Sequence, residues 1–160
     1  MKVDYINPVL IASSRIIKIL LQEDVILGRL SLSDGHNLTD SMAIIMWMSG
    51  DFEGRFVFAI KRDVALYIAS TMMGEEITEL DDMAKSAVAE MATMILGRTG
   101  IIFSERGIEV KISYPTLVEG DCVYISTLSQ KKRTIINIPL IMSRGNVIDI
   151  KIESGDLIRE

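Results

Sequence analysis

Apolar and polar positions change period several times along the chain, and each change marks an element. After Asn7-Pro8, the residues Val9, Ala12, Ile16 and Leu20 recur at helical spacing. Asn is a favoured N-cap and Pro a favoured first helical residue, so a helix is predicted from this pair to about Gln22. Val25–Ser33 alternates in part, and Ala43–Ser49 is continuously apolar, as a strand buried on both faces is. Gly50-Asp51-Phe52-Glu53-Gly54 reads as a turn into a hairpin partner, Arg55–Lys61. Asp63 can cap a short helix, Val64–Met73, which Gly74 closes. Ile108–Ser113 alternates. Asp121–Ser129 and Thr134–Met142 read as a second hairpin around Lys131-Lys132-Arg133. In Asn146–Glu153, Asp149, Lys151 and Glu153 alternate with apolar residues, the pattern of an edge strand that pairs with a partner or stays solvated. Helices mixed with adjacent strand pairs predict a single α+β domain over residues 1–160, a mostly antiparallel sheet packed against a long helix and shorter ones.

The long helix is the informative element. Thr78-Glu79-Leu80-Asp81 resembles a capping box with Asp in place of Glu, opening a helix from about Glu79 to Glu105 that Gly107 ends. Met83, Ala87, Met91 and Ile95 line one stripe, widened by Ala84, Val88 and Ile102, and this face is assigned to the core. Asp82, Ser86, Glu90, Thr93, Gly97 and Gly100 follow one another at three- and four-residue steps, so they form one polar stripe of small residues. A solvated face needs no glycine, which costs about 1 kcal/mol relative to alanine inside a helix. The stripe therefore reads as a contact track with two reaching side chains, Glu90 and Thr93, one turn apart.

Charge and composition narrow the chemistry. A net charge of −5 lacks the basic face that nucleic acid requires. One histidine and one cysteine, His36 and Cys122, cannot make a Cys/His zinc site, and a lone cysteine forms no internal disulfide. His36 lies in the polar run Ser33–Asn37 and reads as a loop residue, while Cys122 lies in an apolar segment and reads as core. Asp4, Arg15 and Lys18 interrupt the apolar N-terminal stretch, so no secretory or membrane-spanning segment is expected and the chain is assigned to the cytoplasm. Ten methionines fit either adaptable core packing or a plastic binding surface.

The stretch Leu80-Asp81-Asp82-Met83-Ala84-Lys85-Ser86-Ala87-Val88-Ala89-Glu90-Met91-Ala92-Thr93-Met94-Ile95-Leu96-Gly97 resembles the signature helix of the CheX family of chemotaxis phosphatases, grouped with CheC and FliY. That family's pattern is a Ser-Ala pair, then Glu-x-x-Asn, then a nearby Gly. Gly50–Gly54, Ala69–Gly74 and Pro115–Gly120 also look like elements of that family. The resemblance is best over residues 50–120 and implies a CheC-like α+β fold. It further implies docking on a phosphorylated CheY-like receiver, whose aspartyl phosphate is hydrolysed and which supplies the Mg²⁺. No cofactor of the chain's own is implied. The family's Glu pairs with the receiver's lysine, and its Asn aims a water at phosphorus.

Carried over, Glu90 and Thr93 are the catalytic candidates, and Asp82, Ser86, Ala89, Gly97 and Gly100 the receiver-binding ones. Thr93 stands where the family has Asn. Its side chain is shorter, its χ1 is restricted, and its hydroxyl has a local alternative in the carbonyl of Ala89. Besides a phosphatase, the sequence therefore accommodates a module that binds a phosphorylated receiver without hydrolysing it, or a structural part of a flagellar switch. Family members often dimerise by joining sheets. The first helix lacks a second Glu-x-x-Asn, which implies one site per chain.

Overall fold

The computed structural model describes residues 3–33, 36–125 and 133–155. Among the described residues, three helices, α1 (Val3–Leu21), α2 (Arg62–Met73) and α3 (Asp82–Glu105), accompany eight strands. These are β1 (Val25–Leu27), β2 (Ser31–Ser33), β3 (His36–Gly50), β4 (Gly54–Lys61), β5 (Val110–Ile112), β6 (Thr116–Ile125), β7 (Thr134–Met142) and β8 (Val147–Ser154). They form one sheet in the order β1-β7-β8-β4-β3-β5, with β2 also on β7 and β6 also on β3. Every pairing is antiparallel. The α+β architecture expected from the sequence is the one observed.

Alternation sorts the strand residues onto two faces. Met42, Ile44, Met46, Phe56, Phe58, Ile60, Ile136, Ile138, Ile148 and Ile150 share a core with the inward residues of all three helices. On the other face Trp47, Arg55 and Glu153 form a row across β3, β4 and β8. Arg55 lies 5.6 Å from the Trp47 ring centre and pairs with buried Glu153. Asp149, Lys151 and Glu153 thus belong to a central strand, since β8 pairs with both β4 and β7. The edge-strand reading of Asn146–Glu153 is overturned. Two of its charged side chains are carried within the sheet by partners, Glu153 by Arg55 and Lys151 by Asn137 at 2.9 Å.

Other boundaries also move. Asn7-Pro8 does not open α1, which already runs from Val3. Pro8 cannot donate to the carbonyl of Asp4, and Arg106 donates to it instead at 3.4 Å. Val25–Ser33 divides into β1 and β2, both on β7. β3 reaches back to His36, which places that residue in a strand rather than a loop. Among the described residues the expected second hairpin is not seen: β6 pairs with β3, and β7 makes its hairpin with β8. Lys131 and Lys132, read as that hairpin's tip, lie outside the described residues. Cys122 is exposed on β6, not core. The Gly50 turn is as expected, and its glycine is required: φ is +120°, and a Cβ there would stand 2.5 Å from the Glu109 carbonyl oxygen.

Two clusters fix the helices. Tyr5, Phe52, Phe56 and Phe103 stack at centroid distances of 4.8 to 6.2 Å, joining the start of α1, the β3–β4 turn and the end of α3. Buried Glu23 accepts from Tyr67 on α2 at 2.8 Å and from Ser143 in the β7–β8 turn at 2.6 Å. Burial, then the bond to Glu23, raises the Tyr67 pKa above the ordinary phenol value. By length and composition α3 is apolar enough to cross a membrane, but its apolar side lies in the core.

Candidate functional site

The start of α3 is set by Asp81, not by Thr78. The Asp81 carboxylate accepts from the backbone N–H of Ala84 at 2.8 Å, so it is the N-cap of the helix rather than its third residue. From Asp82 the helix runs without a break to Glu105, and Gly107, at φ +77°, follows its end. Ala84, Val88, Met91, Ala92, Ile95, Leu96, Thr99, Ile102 and Phe103 are buried.

The outward side carries most of the expected track. Asp82, Ser86 and Glu90 are exposed, and Ala89, Thr93, Gly97 and Gly100 are half-buried. Among the described residues Glu90 has no ion pair or hydrogen bond, which leaves its carboxylate available. The Thr93 hydroxyl donates to the Ala89 carbonyl at 2.9 Å, the back-bond anticipated from the sequence. That bond uses the hydroxyl's only proton and holds its rotamer, leaving the oxygen lone pairs as acceptors. The two glycines differ. A Cβ on Gly100 would lie 3.1 Å from Ile112 Cδ1, so that glycine serves the packing of β5 on α3, whereas a Cβ on Gly97 would meet nothing within 4 Å. At the N-terminal flank Lys85 pairs with Glu119 of β6. No group of three or more His, Cys, Asp or Glu among the described residues could hold a metal ion.

Met83 departs from expectation. Assigned to the core from its spacing, it is 67% exposed, and its presumed stripe partner Ala87 is half-buried. At about 100° per residue, Met83 lies about 20° from Glu90 and well over 100° from the centre of the buried face. Ile101, 50% exposed, and half-buried Met94 share its side of the helix. Sequence reading missed these apolar residues as part of the outward face, although their spacing from Glu90 contained the signal.

A family model described as "Chemotaxis phosphatase CheX" matches residues 42–139, from β3 through α3 into β7. The chain belongs to the CheX family. The CheY-P phosphatase CheX of Thermotoga maritima is 26% identical over 131 residues, covering 80% of this chain and 82% of its own. A CheC-like superfamily protein from Shewanella sp. PV-4 superposes with a TM-score of 0.84 at 23% identity, over 96% of this chain and 98% of the other. The CheX–CheY–BeF3–Mg²⁺ complex from Borrelia burgdorferi matches with a TM-score of 0.75 at 25% identity, over 94% of this chain and 97% of that one. This CheX-family chain thus carries the CheC-like fold expected of it.

Proposed function

We propose that this CheX-family chain docks on a phosphorylated CheY-type receiver in chemotaxis signalling and promotes hydrolysis of its aspartyl phosphate. The observation that carries the proposal is the joint outward projection of Glu90 and Thr93 from one rigid helix. The named activity of the Thermotoga relative and the CheY complex of the Borrelia relative support it.

In this reading Glu90 engages a lysine of the receiver, and Asp82, Ser86, Ala89, Gly97 and Gly100 are the expected contact positions around it. The Thr93 oxygen accepts one O–H of a water and turns the water's lone pair toward phosphorus. Water attacks in line, the bond from phosphorus to the aspartyl oxygen breaks, and the products are phosphate and a free carboxylate. The chain supplies no nucleophile, metal or cofactor; Mg²⁺ comes with the receiver. Such catalysis is mostly positioning and electrostatics, which a plain helix face can provide. The back-bonded Thr93 remains an acceptor, so its chemistry is compatible with turnover as well as with the alternative of a non-catalytic binding module, and the phosphatase relative favours turnover.

The test is phosphate release from the CheY-type receivers of the source organism. Wild type should accelerate it. Thr93→Ser should retain activity and Thr93→Val, which keeps the shape but not the oxygen, should lose about tenfold or more. Equal rates for Thr93→Val and wild type would remove Thr93 from the mechanism. Rates no faster with wild type than without it would end the phosphatase assignment.

We read the 160 residues as one CheX-like domain acting in solution in the cytoplasm, with no membrane or nucleic-acid partner. A homodimer formed by sheet extension would use an outer strand such as β6, the longest of those that among the described residues have one neighbour. Light scattering should then report twice the chain mass, and a monomer at micromolar concentration would exclude it.

A further inference from the structure

The sheet is curled on the side away from the helices. Ser33 of β2 pairs with Ile135 of β7, and the same row continues through Glu153 and Arg55 to Trp47 of β3. Only residues 34 and 35 separate Ser33 from His36, where β3 begins, so the two ends lie within about 11 Å. A straight β3 would instead carry His36 about 37 Å past the Trp47 row. β3 therefore bends back over the helix-free face. The bend falls at Asp40, whose φ is +46° and which, with Asp121, is left out of the register that joins β3 to β6 on either side. Asp is one of the few non-glycine residues that adopt this left-handed backbone without great cost. Beyond the bend, Leu38 is buried in a second small core with Ala43, Val57 and Ala59, apart from the core beneath the helices.

The curl encloses a cavity of about 460 Å³, within the range of small-molecule sites. Leu38, Ala59 and Val147 give it an apolar lining. Ala59 stands opposite Asp149 in the register, and its methyl group offers the Asp149 carboxylate nothing to bond. Asp149 is half-buried, and among the described residues it makes no hydrogen bond and no ion pair. Lys61, two residues along β4 from Ala59, and Lys151, two residues along β8 from Asp149, line the same cavity. Lys61 has no ion-pair partner among the described residues, and Lys151 donates to Asn137 at 2.9 Å. The remaining carboxylate of the lining, Asp63, accepts from the Val64 N–H at 2.9 Å.

We propose that this cavity binds a small zwitterion with an apolar body, an α-amino acid or a close analogue. Its ammonium pairs with Asp149, its carboxylate with Lys61, and its side chain covers Leu38, Ala59 and Val147. A simple anion would leave Asp149 unpaired and a simple cation would leave Lys61 unpaired, whereas a molecule with both charges satisfies both groups as they lose water. The site shares no residue with the outward face of α3, so its occupancy does not depend on receiver docking.

The test is calorimetric titration of the whole protein with leucine and the other natural α-amino acids. Beside leucine run 4-methylpentanoate, which lacks the ammonium, and 3-methylbutylamine, which lacks the carboxylate. Leucine should bind with a dissociation constant of about 1 mM or lower and raise the melting temperature. Each analogue should bind about tenfold more weakly or worse. Asp149→Asn should weaken leucine about tenfold and leave 4-methylpentanoate unchanged. Lys61→Met should weaken leucine and leave 3-methylbutylamine unchanged. Lys61 is exposed, so this variant should fold as wild type does and decides the matter if Asp149→Asn fails to fold. If 4-methylpentanoate bound as tightly as leucine, Asp149 would have no part and recognition of a zwitterion would fall. Leucine binding indifferent to both substitutions would place the ligand elsewhere and overturn the proposal. So would the absence of binding by every natural α-amino acid at about 10 mM.

Discussion

The two sides of α3 obey different rules. The inner side is uniform: Ala84, Val88, Met91, Ala92, Ile95, Leu96 and Phe103 have no exposed surface, and the polar Thr99 among them is satisfied by the Ile95 carbonyl at 2.9 Å. The outer side mixes a carboxylate without a partner, a hydroxyl tied to its own helix, an open glycine and exposed methionine and isoleucine. Packing explains the inner choices and none of these outer ones, although it does explain Gly100 beside them. A helix selected for stability alone would carry alanine, lysine or glutamate where Gly97 and Ile101 stand. The contrast says that one side holds the rod in place and the other is shaped for something that comes to it, and this division can be broken by substitution.

The largest expected effect is on the inner side. Leu96→Ala removes a fully buried side chain and should lower unfolding free energy by about 2–5 kcal/mol, measured by urea denaturation. The protein that remains folded should keep its kcat. A loss of kcat far beyond the loss of folded protein would mean that the inner side also shapes the chemistry. Next is Glu90→Lys on the outer side. Reversing this charge should lower kcat/KM by about 100-fold, roughly 2.7 kcal/mol, with stability changed by less than about 0.5 kcal/mol. If the same substitution melted the fold, the carboxylate would have a structural role that its exposure gives no reason to expect.

Much of this division could be read along the chain, because it is local. Helical spacing made α3 a single rod and set Glu90, Thr93 and Gly97 outward together, and the hydroxyl of Thr93 had the Ala89 carbonyl within reach whatever the rest of the fold did. Met83 was misplaced for a related reason. Its spacing to Ala87 and Met91 fits an apolar stripe, but hydrophobicity alone does not say whether a stripe meets the sheet or a partner, and Met83 sits at its exposed border. Pairing between distant strands was the least legible. Alternation in β6 and β7 shows which side chains share a face and says nothing about neighbours, so two strands adjacent in sequence were paired although the sheet sets β6 against β3 and β7 against β8. Lys151 and Glu153 of β8 read as belonging to an edge strand, paired with a partner or solvated, because their partners within the sheet, Asn137 and Arg55, come from other strands. Gly100 and Gly97 look alike in sequence, and only the approach of Ile112 to one of them separates packing from an open site.

The smallest effect sharpens the comparison most, because it moves the rod's end and neither of its sides. Asp81→Ala removes the carboxylate that accepts from Ala84 N–H and should cost about 1 kcal/mol, detected as a lower denaturation midpoint with an unchanged slope. Glu90 lies nine residues beyond this cap, about 13 Å along the axis. The helix between them is held by the burial of Ala84 and Val88 as well as by its own hydrogen bonds. Fraying of the first turn should therefore stop before it reaches the Glu90–Thr93 pair, and kcat/KM should stay within about twofold of wild type. A tenfold fall in kcat/KM with this modest loss of stability would mean that the Glu90–Thr93 pair depends on the helix terminus, and that rigidity of α3 comes from its cap rather than from the packed side beneath it.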